Sequence, residues 1–99
     1  MFVVELFLPL ADNNGDKFPL SLYAGVEQAL TARFGGLTAF TRAPAQGIWG
    51  DGPTRDDIII FEIMTASLDV SWWRAYRADL EVRFRQESIV IRATQSERL

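Results

Sequence analysis

Residues 57–64 read DIIIFEIM, and residues 2–8 read FVVELFL. Both runs are short, apolar and rich in β-branched or aromatic side chains, the signature of strands with at least one buried face. The first is the strongest strand signal in the chain. Each run carries one glutamate near its middle. Side chains alternate across a strand, so Glu62 shares a face with Ile58, Ile60 and Met64, opposite Ile59, Phe61 and Ile63. Glu5 likewise shares a face with Val3 and Phe7, opposite Phe2, Val4, Leu6 and Leu8. The unbroken apolar sets belong in a core, and the glutamates belong on the other face.

The rest of the chain can be read outward from these two strands. Pro9 ends the first run, and the cluster 12–16, Asp-Asn-Asn-Gly-Asp, is a turn. Leu22, Val26, Leu30 and Phe34 follow a four-residue spacing with Tyr23 beside them, which predicts a helix over about 21–34. Ser21 is its candidate N-cap and Gly35-Gly36 its stop. Residues 37–42, LTAFTR, alternate as a second strand. A loop rich in Pro, Gly and Asp runs from Ala43 to about Asp56. After the third strand, Asp69 or Ser71 caps a second helix over about 70–86, with the apolar stripe Trp72, Trp73, Tyr76, Leu80 and Phe84. Its solvent face holds two acid-first pairs, Asp79–Arg83 and Glu81–Arg85. Residues 88–93, SIVIRA, form the last strand.

The order is β-α-β-β-α-β. Right-handed crossovers turn it into an α+β, ferredoxin-like two-layer sandwich, a four-stranded antiparallel sheet with both helices on one face. Residues 1–99 are expected to form a single domain, since 99 residues suffice for one core. The topology resembles the ferredoxin-like superfamily, and within it the dimeric α+β barrel type, in which two such sheets face each other. The segment FGGLTAFTRAPAQGIW, residues 34–49, is similar to small uncharacterised bacterial proteins of that type. The resemblance implies a homodimer. It also brings in cofactor-free oxygenases, isomerases and haem-degrading enzymes, which commonly use a histidine or a defined polar set in the barrel.

Composition narrows the chemistry. The chain has no histidine and no cysteine. It therefore lacks the commonest general base, the commonest transition-metal ligand, and any thiolate. No metal and no cofactor is expected. The net charge is −3, which argues against a nucleic-acid partner or an anionic membrane, both of which call for a dominant basic surface. Residues 1–69 carry nine acids and four bases, whereas residues 70–99 carry four acids and six bases. Nine of the ten basic residues are arginines, Lys17 being the exception. Codon bias accounts for that, or else use of bidentate contacts to carboxylate or phosphate. The N-terminal apolar run is short, interrupted by Glu5 and without a basic leader, and no stretch reaches a membrane span. A cytoplasmic location is expected.

The open face of the sheet is the most informative surface. Extending the alternation to all four strands puts Val3, Glu5, Phe7, Thr38, Phe40, Arg42, Ile58, Ile60, Glu62, Met64, Val90 and Arg92 away from the helices. A sheet face left to water is mostly polar, and this one is mostly apolar. A second copy of the same sheet is the simplest cover. The candidate ligand-binding or dimer-interface residues are therefore Glu5, Phe7, Phe40, Arg42, Trp49, Ile60, Glu62 and Arg92. Two readings of the four charges stand: an ion-pair network at the dimer seam, or the lining of a polar cavity for a small molecule. The expected function is ligand binding or a structural, interaction role. The alternative is a cofactor-free enzyme on a small organic substrate, with Glu62 or Glu5 as a buried general base.

Weaker signals resolve to structure. Asp12-x-Asn14-x-Asp16 resembles a calcium loop, but Lys17 stands where the glycine belongs and Tyr23 where the closing glutamate belongs. The glycines at 47, 50 and 52 do not open a helix, which a phosphate-cradling loop needs. Trp72 and Trp73 read as packing of the helix on the sheet, and Arg74, Arg77, Arg83 and Arg85 as a solvated helix face. Trp49, flanked by Pro44 and Pro53, is expected to fold back and close one end of a barrel, as packing or as a lid.

Overall fold

The elements run β1 (Phe2–Pro9), α1 (Leu20–Phe34), β2 (Thr38–Arg42), β3 (Ile58–Thr65), α2 (Val70–Arg83) and β4 (Val90–Gln95) in the computed structural model. It describes residues 1–42 and 58–99. The strands form one antiparallel sheet in the order β2-β3-β1-β4. That is the expected ferredoxin-like α+β sandwich. The loop from Ala43, with Trp49 and its glycines, lies outside the described residues.

The inner face follows the predicted alternation. Val4, Leu6 and Leu8 of β1 and Phe61 and Ile63 of β3 are buried against Tyr23, Val26 and Leu30 of α1 and Trp73, Tyr76 and Leu80 of α2. Each such side chain contributes ~1.5–3 kcal/mol when fully removed from water. The N-terminal turn is anchored to this core through Phe18, which meets Phe84 edge-on at 5.2 Å.

The helix ends differ in how they are capped. Gly35 adopts φ +83° and donates its N–H to the carbonyl of Thr31, the left-handed stop that glycine tolerates best. At the other end, α1 starts one residue early. Pro19, not Ser21, holds the N-cap position, and no side chain caps the helix. The proline ring already fixes φ near the helical value, so the turn forms without a capping hydroxyl. For α2, Asp69 is the cap: its carboxylate accepts the N–H of Trp72 at 3.1 Å.

The C-terminal end of α2 departs from expectation. The helix stops at Arg83, and Arg85 takes φ +51°. Arg85 is thereby turned off the helix face, and the expected Glu81–Arg85 pair does not form. Glu81 instead accepts the N–H of Ile89 at 2.9 Å and lies 3.9 Å from Arg77. Arg85 reaches Asp12 at 3.5 Å. The Asp79–Arg83 pair does form. The tryptophans pack into the core with the sheet residues and also join the two helices. Trp73 stacks on Phe34 of α1 at 5.2 Å, Trp72 stacks on Tyr76 at 4.9 Å, and Arg33 lies 4.2 Å over Trp72. No described helix is long and apolar enough to cross a membrane.

Candidate functional site

Strand register arranges the outer face into rows that run across the sheet. One row is Thr38, Glu62, Glu5 and Arg92, from β2 to β4. The next is Phe40, Ile60, Phe7 and Val90. On the other side lie Met64, Val3 and Thr94. Successive rows are about 7 Å apart along the strands. A single charged row is thus bracketed by largely apolar ones.

Within the charged row, Arg92 donates from Nε to a Glu5 carboxylate oxygen at 2.9 Å. Its guanidinium also lies 4.9 Å over the ring of Phe7 in the neighbouring row. Glu5 is the sheltered partner, with 16% of its side chain exposed against 58% for Arg92. Glu62 faces Glu5 directly across β1 and β3. Among the described residues Glu62 has no ion partner. Two carboxylates opposite each other repel, so this row presents more negative charge than one arginine balances.

Arg42 does not join this row. It pairs in register with Ile58, whereas Glu62 pairs with Thr38. Four residues of strand, ~13 Å, separate the two positions. Alternation in the sequence carries no distance between the two positions; the register supplies it. Ile60 is 2% exposed although it faces away from the helices, and it stands apart from the main core cluster. Its row neighbours Phe7 and Phe40 flank it. Phe40, Met64 and Val90 remain 42%, 55% and 56% exposed.

One end of this face opens into a hollow of about 860 Å³. Its floor is Phe7, Pro9, Ile58 and Val90, and its walls come from the 10–17 turn and the chain around Gln86 to Ile89. The turn is well built. Asp12 accepts the N–H groups of Asn14 and Asp16 at 2.8 and 2.9 Å, and Gly15 takes φ +84°. This is the turn the sequence predicted, and no cluster of three or more potential metal-binding side chains occurs among the described residues. Tyr23 donates its hydroxyl to the Pro9 carbonyl at 2.6 Å, which ties α1 to the rim. Burial pushes the Tyr23 phenol above its ordinary pKa. Sequence reasoning missed the hollow because its walls meet only in three dimensions. Asp12 and Ser88 share no period or motif.

The class of protein is therefore a ferredoxin-like α+β sandwich whose outer sheet face carries a charged row between largely apolar ones. No protein-family model matches the chain, and no curated protein matches it. In structure it is similar to a phage SAM lyase in complex with S-methyl-5′-thioadenosine, with a TM-score of 0.60 and 15% sequence identity. The match covers 95% of this chain and 80% of that one. A likeness at this identity establishes the fold.

Proposed function

We propose that this protein is a homodimeric binder of a small organic molecule, held on the outer sheet face and shielded by a second copy. The observation that carries the reading is the Thr38–Glu62–Glu5–Arg92 row set between rows of aromatic and aliphatic side chains. Ligand sites combine apolar walls with a few convergent polar groups, and this face does so next to a hollow of ligand size. The excess carboxylate favours a ligand with a cationic centre, and the exposed ring of Phe40 in the neighbouring row is available to it. The structural likeness to a SAM lyase holding S-methyl-5′-thioadenosine supports choosing nucleoside thioethers as first probes.

A second reading makes the same face catalytic. Arg92 engages Glu5, which leaves Glu62 as the carboxylate able to accept a proton from a bound substrate. Calorimetric titration with SAM and with S-methyl-5′-thioadenosine tests the binding reading, and chromatographic loss of SAM tests the catalytic one. Saturable binding that Glu62→Gln weakens, with SAM intact, supports a binder. Loss of SAM that Glu62→Gln stops supports an enzyme. Absence of binding by either compound removes nucleoside thioethers as the ligand class.

A further inference from the structure

The inner face of β4 is covered unevenly. Ile89 is 3% exposed, Ile91 is half-buried, and Ala93 is exposed although it points to the helix side. Ala93 lies opposite the fully buried Val4. The first half of α2, from Val70 to Arg77, and the strand at Ile91 and Ala93 border a shared gap. A methyl side chain cannot fill that gap. The result is a cavity of about 180 Å³ between α2 and the β1–β4 edge, walled by Val4, Leu68, Trp73 and Ile91.

Its mouth is basic. Arg74 and Arg77 lie one turn apart on α2 and line the same cavity. Arg74 has no ion pair among the described residues, and neither guanidinium hydrogen-bonds a carboxylate there. Arg77 forms a long ion pair with Glu81 at 3.9 Å, beyond hydrogen-bond distance, while Glu81 accepts the Ile89 N–H at 2.9 Å. Asp69, the acid nearest the cavity in sequence, caps Trp72. The two guanidiniums therefore keep free donors beside an apolar slot. Both arginines are exposed, yet they border a crevice that reaches the buried Trp73.

We propose that this cavity is a binding site for a small apolar monocarboxylate, with its hydrocarbon body against Trp73 and Ile91 and its carboxylate forked by Arg74 and Arg77. Guanidinium groups pair with carboxylate in two parallel hydrogen bonds, which fixes orientation as well as affinity. The apolar wall excludes a fully hydrated anion, and the arginines favour an acid over an alcohol of the same shape. The site lies on the helix side of the sheet and stands independently of the function proposed for the outer face.

The test is titration of the ¹⁵N-labelled full chain with hexanoate, 1-hexanol and inorganic phosphate. Hexanoate is expected to shift the Trp73 indole N–H and the amides of Val70, Arg74 and Ala93 saturably. Hexanol is expected to bind about tenfold more weakly, the usual scale for a lost charge-assisted hydrogen bond. Arg74→Ala with Arg77→Ala should bring hexanoate down to the hexanol level and leave hexanol unchanged. Ala93→Leu should fill the slot and block both. Equal binding of hexanoate and hexanol, phosphate binding as tightly as hexanoate, or shifts confined to the outer face would each overturn the proposal. The comparison of the first two ligands on the unmodified chain decides the matter even if a variant fails to fold.

Discussion

Glu5 and Glu62 stand directly across from each other on β1 and β3, and Arg92 on β4 bonds the first of them at 2.9 Å. The arginine comes from the far side of β1, so it screens Glu5 better than it screens Glu62. The row is left with like charges in register at the centre of an apolar face. A ligand or partner that brings positive charge to this row gains what the fold alone does not satisfy.

Glu62→Gln is accordingly expected to leave stability unchanged or raise it by ~0.2–1 kcal/mol, because it removes a cross-strand repulsion. Arg92→Ala should lower stability by up to about 1 kcal/mol, a modest figure because the arginine is largely exposed. Paired urea melts check both signs. A marked loss in Glu62→Gln would mean that Glu62 has a cationic partner.

The proposed homodimer is best tested away from Ile60. That side chain is buried within the chain itself, so Ile60→Asp should destabilise the fold whether or not a dimer forms. Val90 is 56% exposed in the same row. Val90→Asp should leave melting of the fold intact and split the dimer, because a lone carboxylate in a dry seam has no partner. Light scattering that shows the unmodified chain as a monomer at micromolar concentration would sink the proposed assembly.

The two buried tyrosines should behave oppositely. Tyr23 donates to Pro9, whereas the Tyr76 hydroxyl is buried with no hydrogen-bond partner among the described residues. Tyr23→Phe should therefore cost ~1 kcal/mol, and Tyr76→Phe should be neutral or stabilising. Burial raises the pKa of both phenols above the ordinary 10.0. The folded form holds its phenolic protons longer than the unfolded form does. That contribution is fully present below pH 10.0 and is lost as pH rises through the folded-state values. Alkaline melts should show the loss, reduced in Tyr76→Phe.

Two core and cap substitutions calibrate the fold. Phe84 is fully buried between Phe18 and Tyr23, so Phe84→Ala should cost ~3–5 kcal/mol. Asp69→Ala removes the cap of α2 and should cost ~1 kcal/mol. For a domain of this size 1 kcal/mol corresponds to roughly 4–8 °C in melting temperature, so calorimetry resolves both.

Alternation in residues 2–8, 37–42, 57–64 and 88–93, the apolar stripes of the two helices and the stop at Gly35 were enough to determine element order, sheet faces and fold class. Those features are local: a strand repeats every two residues, a helix every 3.6, and each leaves its period in the chain. Which charges meet was not local. Arg42 and Arg92 read alike in sequence, yet register puts Arg92 beside Glu5 and Arg42 two rows from Glu62. The positive φ of Arg85 diverted its side chain to Asp12, and the gap over Ala93 arose from how α2 lies on the sheet. These distances depend on pairing offsets and helix placement, which sum many weak contacts from distant parts of the chain. Only the tertiary structure decides them.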